Sequence, residues 1–285
     1  MSIYLKLAIV FVIFLILTYF VKGQGKTDLA DKIISVSSFV FGVILAFSIL
    51  NRHSRLSKIR ERLREQDAKL LEIYYLSKLF SRKVQEEIKE KIDSLLISQI
   101  DYKLVDFDKE SPKKLKEFFM FIEKLKANKK EEDTKNKILE MLEKDIEIQK
   151  EVVYHVKNKM MFYEWISLIV MAGIIFFSLI FYFNTNNLSS VIVVSLLCTA
   201  LTLLLFVLKD LDRLEWQEEN WIWDPLSNLF TELDLLPYFP DAVFDSGRLE
   251  KKFLSKWKKI RIAHYPCPYP NMKGKKVEVL VVNKK

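Results

Sequence analysis

The chain has 285 residues, 50% hydrophobic, 13% aromatic and 29% charged, with a formal net charge of +8 and two cysteines. Cys198 lies inside an apolar run and Cys267 in a Pro-rich stretch, which argues against a disulfide framework or a cysteine-based metal site. Apolar and charged residues are segregated along the chain, so the pattern fits membrane and aqueous parts rather than one uniform globule.

Ile3 to Val21 is the first apolar run, broken only by Lys6. It is long enough to cross a hydrocarbon layer of about 30 Å, and Lys6 is near enough to its end to snorkel. It ends Tyr19-Phe20-Val21-Lys22, with no small-residue cleavage pattern, so it reads as a span and not a signal peptide. Lys22–Lys32, with two glycines, reads as a short connection between antiparallel spans.

Ile33 to Leu50 is the second span, and it runs without a proline or glycine break after Gly42 into a basic helical segment. Phe39, Val43 and Phe47 recur every four residues and form one stripe. Gly42 and Ala46 make a small-residue face that allows close helix approach. Arg52, Arg55 and Lys58 follow, then Arg60, Arg62 and Arg64. An apolar stripe ending in a basic collar suits a helix lining an anion pore, with Phe39, Val43 and Phe47 as the constriction and Arg52, Arg55 and Lys58 as an inner-mouth ring. It equally suits an ordinary span with cytoplasmic basic flanks. A basic balance can serve nucleic acid or lipid. Because this run abuts a span, anionic lipid of the cytoplasmic leaflet is the expected partner, and nucleic acid is not.

Residues 54–161 are polar, with one proline and no glycine. Helices are expected near 54–80, 82–100, 112–127 and 131–161, with a turn region at Asp101–Glu110. Ser111-Pro112 reads as N-cap and first helical residue. Two seams step alternately by three and four: Leu56, Ile59, Leu63, Gln66, Leu70, Ile73, Ser77, Phe80, and Leu139, Leu142, Ile146, Gln149, Val153, Val156, Met160. The first helix leaves the membrane and the last returns, so they run antiparallel. Counting from the membrane places Gln66 and Gln149 at equal height, which allows a buried hydrogen bond between them; the alternative is an offset seam that leaves each facing water.

Trp165–Phe183 and Leu188–Leu208 are the third and fourth spans, joined by the uncharged turn Asn184–Asn187. Tyr163, Trp165, Tyr182 and Phe183 sit at interfacial positions. The basic side should be cytoplasmic, which puts both termini inside and the protein in a plasma or inner membrane. Glu164 at the start of the third span needs a partner or water, and Arg52 or Arg55 is the expected one. After the fourth span come an acidic group (Asp210, Asp212, Glu215, Glu218, Glu219), expected as a solvated helix end, and the tryptophans Trp216, Trp221 and Trp223. Pro237 and Pro240 break helix, Leu249–Ile262 reads as resumed helix, and Arg261–Tyr265 with Val277–Val282 as a small hairpin. The expected divisions are 1–53 (spans one and two), 54–161 (cytoplasmic helical domain), 162–212 (spans three and four) and 213–285 (a C-terminal α+β tail).

The sequence contains no HExxH, Gly-rich phosphate loop or GxSxG, and His53, His155 and His264 are isolated, so no enzyme, cofactor or metal is expected. The acidic group lacks the glycine-punctuated spacing of a calcium loop.

GVILAFSI at the end of span two, Glu164-Trp165 at the start of span three and LKDLDRLEW after span four stand in a particular order of parts. The order is two spans, a helical insert, a two-span hairpin and an acidic, aromatic tail. Over residues 1–240 it resembles the bestrophin-like family, distant relatives of the bestrophin anion channels. The resemblance implies a homo-oligomer in which the second span lines a pore with an apolar neck, passing small anions such as chloride. The chain departs from the family at DLDRLEW, where a Pro-Phe pair is expected after the aspartate, and it lacks a dense acidic calcium clasp. The alternative is a non-conducting scaffold or signalling protein presenting its helical domain to partners.

Overall fold

The computed structural model describes residues 3–21, 23–25, 27–102, 104–183, 187–214, 224–245, 249–266 and 272–282. The chain is mainly helical with a small sheet near the C-terminus, and it divides into two units, Met1–Leu56 with Lys159–Glu215, and Ser57–Asn158 with Trp216–Lys285.

In the first unit the helices are α1 (Ile3–Phe20), the first part of α2 (Asp28–Ser77), α6 (Phe162–Ser178) and α7 (Leu188–Arg213). A single π-helical turn, Leu179–Phe183, continues α6. The second span and the basic segment after it form one unbroken helix of 50 residues, as the absence of helix breakers predicted. Three stretches are long and apolar enough to cross a membrane: Asp28–Ser77, Glu132–Tyr182 through its α6 part, and Leu188–Arg213. The described apolar stretch of α1, Leu5–Phe20, is shorter. α1 packs along α7, and the Thr18 and Ser195 hydroxyls, both fully buried, meet at 2.8 Å between them. One hydroxyl donates across to the other, which in turn donates back to its own helix, where the Phe14 carbonyl is in reach of Thr18 and the Val191 carbonyl of Ser195. No polar group of this contact is therefore left bare in an apolar setting. The core of the unit is Phe41, Leu45, Leu168, Ala172, Ile175, Val194, Cys198 and Leu208.

The second unit holds the rest of α2, α3 (Arg82–Ile100), α4 (Ser111–Lys124), α5 (Glu132–Lys157), α8 (Asp224–Glu232), β1 (Tyr238–Pro240), α9 (Asp241–Asp245), β2 (Lys259–His264) and β3 (Lys276–Val281). Leu70, Ile73, Ile88, Ile92, Leu115, Phe118, Ile138 and Leu142 form its apolar centre, to which Phe230, Tyr238, Phe239 and Ile260 belong as well. Helix α5 stops at Lys157, four residues before the expected end, and the chain is non-helical through Asn158–Met161.

Two local expectations are corrected and one strand is added. Ser111 is the first helical residue of α4 and not its cap; Glu110 precedes the helix, and the Ser111 hydroxyl is buried, accepting from Gln149. Leu249–Ile262 is not a resumed helix, since only the 3-10 turn Lys251–Lys256 forms before β2 begins. The hairpin of β2 and β3 is present, antiparallel, with Ile262 opposite Glu278, and a third strand, β1, pairs parallel to β2 on its other side. Prolines 237 and 240 do break helix, but Tyr238–Pro240 lies extended and fully buried in the sheet.

Two aspartates on α3 and at its end hold the sheet to the helices. Arg261 on β2 grips Asp93 with two bonds of 2.7 Å, the forked pairing that guanidinium geometry favours. Asp101, just past α3, accepts from the Tyr238 hydroxyl at 2.5 Å, the Tyr265 hydroxyl at 2.6 Å and Lys275 Nζ at 2.6 Å. Burial, followed by the adjacent Asp101 charge, holds the Tyr238 hydroxyl protonated well above the ordinary phenol range.

Candidate functional site

The polar centre of the first unit is built on Asp212, in the last turn of α7. That helix closes on Leu214 in the left-handed region (φ 58°), a conformation that costs energy for a side-chain-bearing residue. Arg52 and Arg55 lie three apart on α2 and so share one face. Arg52 Nη1 is 3.4 Å from Asp212 Oδ1 and Arg55 Nη1 is 3.6 Å from it, and Arg55 Nη1 also donates to the Asp212 backbone carbonyl at 2.9 Å. The same Oδ1 accepts the Met160 backbone N–H at 2.8 Å. One carboxylate thus fastens α2, α7 and the extended chain before α6. All three side chains are shielded, at 12% exposure for Arg52, 4% for Arg55 and 11% for Asp212.

This arrangement corrects two expectations. The acidic partner of the arginines is Asp212, not Glu164. Glu164 lies three residues past Met161 and accepts its backbone N–H at 2.8 Å, capping α6. Among the described residues it makes no ion pair. A carboxylate in the first turn has unpaired backbone donors within local reach and needs no distant cation. Asp212, expected as part of a solvated helix end, is instead buried. Of the inner-mouth ring, Arg55 is spent on Asp212, Arg52 is mostly covered, and Lys58 is exposed but belongs to the second unit. The remainder of the acidic group from Glu215 onward, the three tryptophans and Cys267 lie outside the described residues.

The expected constriction residues point away from the unit's core. Phe39 is 73% exposed, Val43 40% and Phe47 62%, whereas Phe41 and Leu45 on the opposite side are buried. Gly42 and Ala46 share the exposed side with them, and a Cβ at Gly42 would meet nothing within 4 Å. Among the described residues the small-residue face takes no part in packing. Together Phe39, Gly42, Val43, Ala46, Phe47 and Leu50 form one continuous outward face with bulky and small side chains interleaved.

The predicted glutamine pair is not formed. Gln66 and Gln149 are both buried, but Gln66 Oε1 accepts from Gln99 on α3 and Gln149 donates to Ser111 on α4. Two surface ion pairs explain the difference. Arg62 bonds Glu151 at 2.5 Å and Glu72 bonds Lys137 at 3.1 Å. The helices run antiparallel as expected, yet interpolating between these pairs sets Gln66 level with Asp145, about one turn from Gln149. Most of the α2 seam is as read, with Ile59, Gln66, Leu70, Ile73 and Ser77 all buried, while Leu63 is only half-buried and Phe80 lies past the helix end at Ser77. On α5 the buried stripe is Ile138, Leu142, Asp145, Gln149, Val152 and Val156, so Asp145 takes the place expected of Ile146.

Among the described residues no group of three or more His, Cys, Asp or Glu is placed to hold a metal ion. Comparison with protein-family models, curated proteins and solved structures finds no match for this chain.

Proposed function

We propose that this chain is an integral membrane protein of four spans, α1 included, that self-associates into an anion-conducting, bestrophin-like channel with α2 around the axis. One observation carries the reading: the outward face of α2, where Phe39, Val43 and Phe47 alternate with Gly42 and Ala46 and lie exposed among the described residues. Small residues allow like helices to approach, and the aromatic and branched ones between them narrow an axis and gate it by dewetting. Arg52 and Arg55 place basic side chains at the end of that helix, and in this reading anionic lipid or a permeating anion such as chloride is drawn to that basic end. Both termini and the helical second unit are cytoplasmic in this reading.

The shielding of Arg52 and Arg55 favours a second reading, a non-conducting membrane protein whose helical unit is presented to partners. Replacing Phe39, Val43 and Phe47 together by alanine separates the two. The positions are exposed, so each folded chain should lose no more than about 0.5 kcal/mol per site. In liposomes the triple variant should pass anions several-fold faster than wild type. Unchanged flux from a normally assembled variant would reject the neck.

A further inference from the structure

Asp145 lies in the middle of α5 with no exposed surface, and neither of its carboxylate oxygens has a hydrogen-bond partner. Level with it on α2, Gln66 keeps its Nε2 unpartnered while its Oε1 is taken by Gln99. The charged groups acting on Asp145 all come from α2: Lys69, Asp67 and Glu65. Lys69 is already held by Glu65 at 2.6 Å, and Glu65 is held also by Arg62 at 2.7 Å. The polar side chains that α3 and α4 give to this seam, Gln99 and Ser111, are neutral, and Lys144 and Glu147 of α5 itself are exposed.

A charged carboxylate without a hydrogen bond in such a place is costly, whereas the protonated form is far less so. We propose that Asp145 is a proton-operated latch in the α2–α5 seam: neutral, it lies closed inside the bundle, and on losing its proton it draws Lys69 from Glu65 and loosens the two helices. The apolar neighbours Leu70, Ile73, Ile138 and Leu142 hold the closed form. Burial pushes the Asp145 carboxyl up to about 8, Lys69 opposing and Asp67 and Glu65 adding to the rise. The unfolded chain releases this proton near pH 4. Between about pH 4 and about pH 8 the folded unit keeps a proton that the unfolded chain has lost, so its stability falls as pH rises, by up to tenfold in the folding equilibrium per pH unit.

The test is hydrogen exchange on the full chain in detergent micelles, expressed as protection factors for the amides of 66–73 and 138–149. In wild type, protection should fall by several-fold or more per unit as pH rises from about 6 to about 8. Asp67 on α2, which burial pushes up to about 7, adds its own fall in this window, so Asp145→Asn should reduce the fall to the part Asp67 contributes. Asp145→Leu, which seats an apolar side chain in an apolar stripe, should reduce it likewise and serves if the amide variant folds poorly. Lys69→Met should leave the fall in place and deepen the opening at high pH, because the ionised group then has no cation to draw. Flat protection in wild type, or an unchanged slope in both Asp145 variants, overturns the latch.

Discussion

Replacing Asp212 with alanine should cost the first unit about 3–5 kcal/mol, the range for breaking a buried ion pair by removing one partner. The loss has two parts. Arg52 and Arg55 would both lose the Asp212 carboxylate while remaining covered, and the Met160 N–H would lose its acceptor at the point where the chain turns into α6. Asp212→Asn separates these parts, since its amide oxygen can still accept from Met160 while the charge is gone. It should fall between wild type and alanine. Arg55→Met in the Asp212→Ala background should recover part of the loss, because a cation covered as Arg55 is costs more once its Asp212 carboxylate is gone. Thermal unfolding of the full chain in detergent reads all four proteins, and a melting temperature for Asp212→Ala equal to that of wild type would show that the carboxylate is not the fastening point.

Asp101→Ala is expected to be nearly as damaging, about 3 kcal/mol or more, in the second unit. Three donors end on this one carboxylate, and Tyr238 among them is 1% exposed. A buried donor left without a partner costs about 1–3 kcal/mol. The replacements can be ranked from the geometry. Tyr238→Phe removes one hydroxyl and should cost about 1 kcal/mol, because Tyr265 and Lys275 still hold the aspartate. Asp101→Asn keeps an acceptor for the tyrosines but discharges the partner of Lys275, so it should lie between the two. Because β2 and β3 depend on this anchorage, their amides should lose hydrogen-exchange protection before those of α3 and α4. An order reversed in that respect would place the anchor elsewhere.

The helices were legible in the sequence where the signal was local. The span from Arg82 to Ile100, the unbroken α2 and the hairpin of β2 and β3 follow from apolar spacing and from where glycine and proline stand. What the sequence hid was the identity of partners across long separations. Glu164 and Asp212 are both acids near the end of an apolar run, and only the packed chain shows that one is consumed by its own helix end. The α5 stripe was misread because a search for apolar residues prefers Ile146 to Asp145, one position away, and no local rule favours burying an unpaired carboxylate. β1 was missed for a related reason: a three-residue strand that ends on Pro240 and directly follows Pro237 carries no alternation, and its pairing with β2 is parallel across some twenty residues of intervening chain. The stripe of Phe39, Val43 and Phe47 was readable as a stripe, while its orientation away from the core was not.

The channel reading stands or falls on one recording. Purified protein should be reconstituted in a planar bilayer and its current measured with chloride at unequal concentrations on the two sides. The account predicts a steady conductance whose reversal potential moves toward the chloride equilibrium potential as the gradient is steepened. Folded, oligomeric protein that carries no current, or a reversal potential that follows the cation, would contradict it.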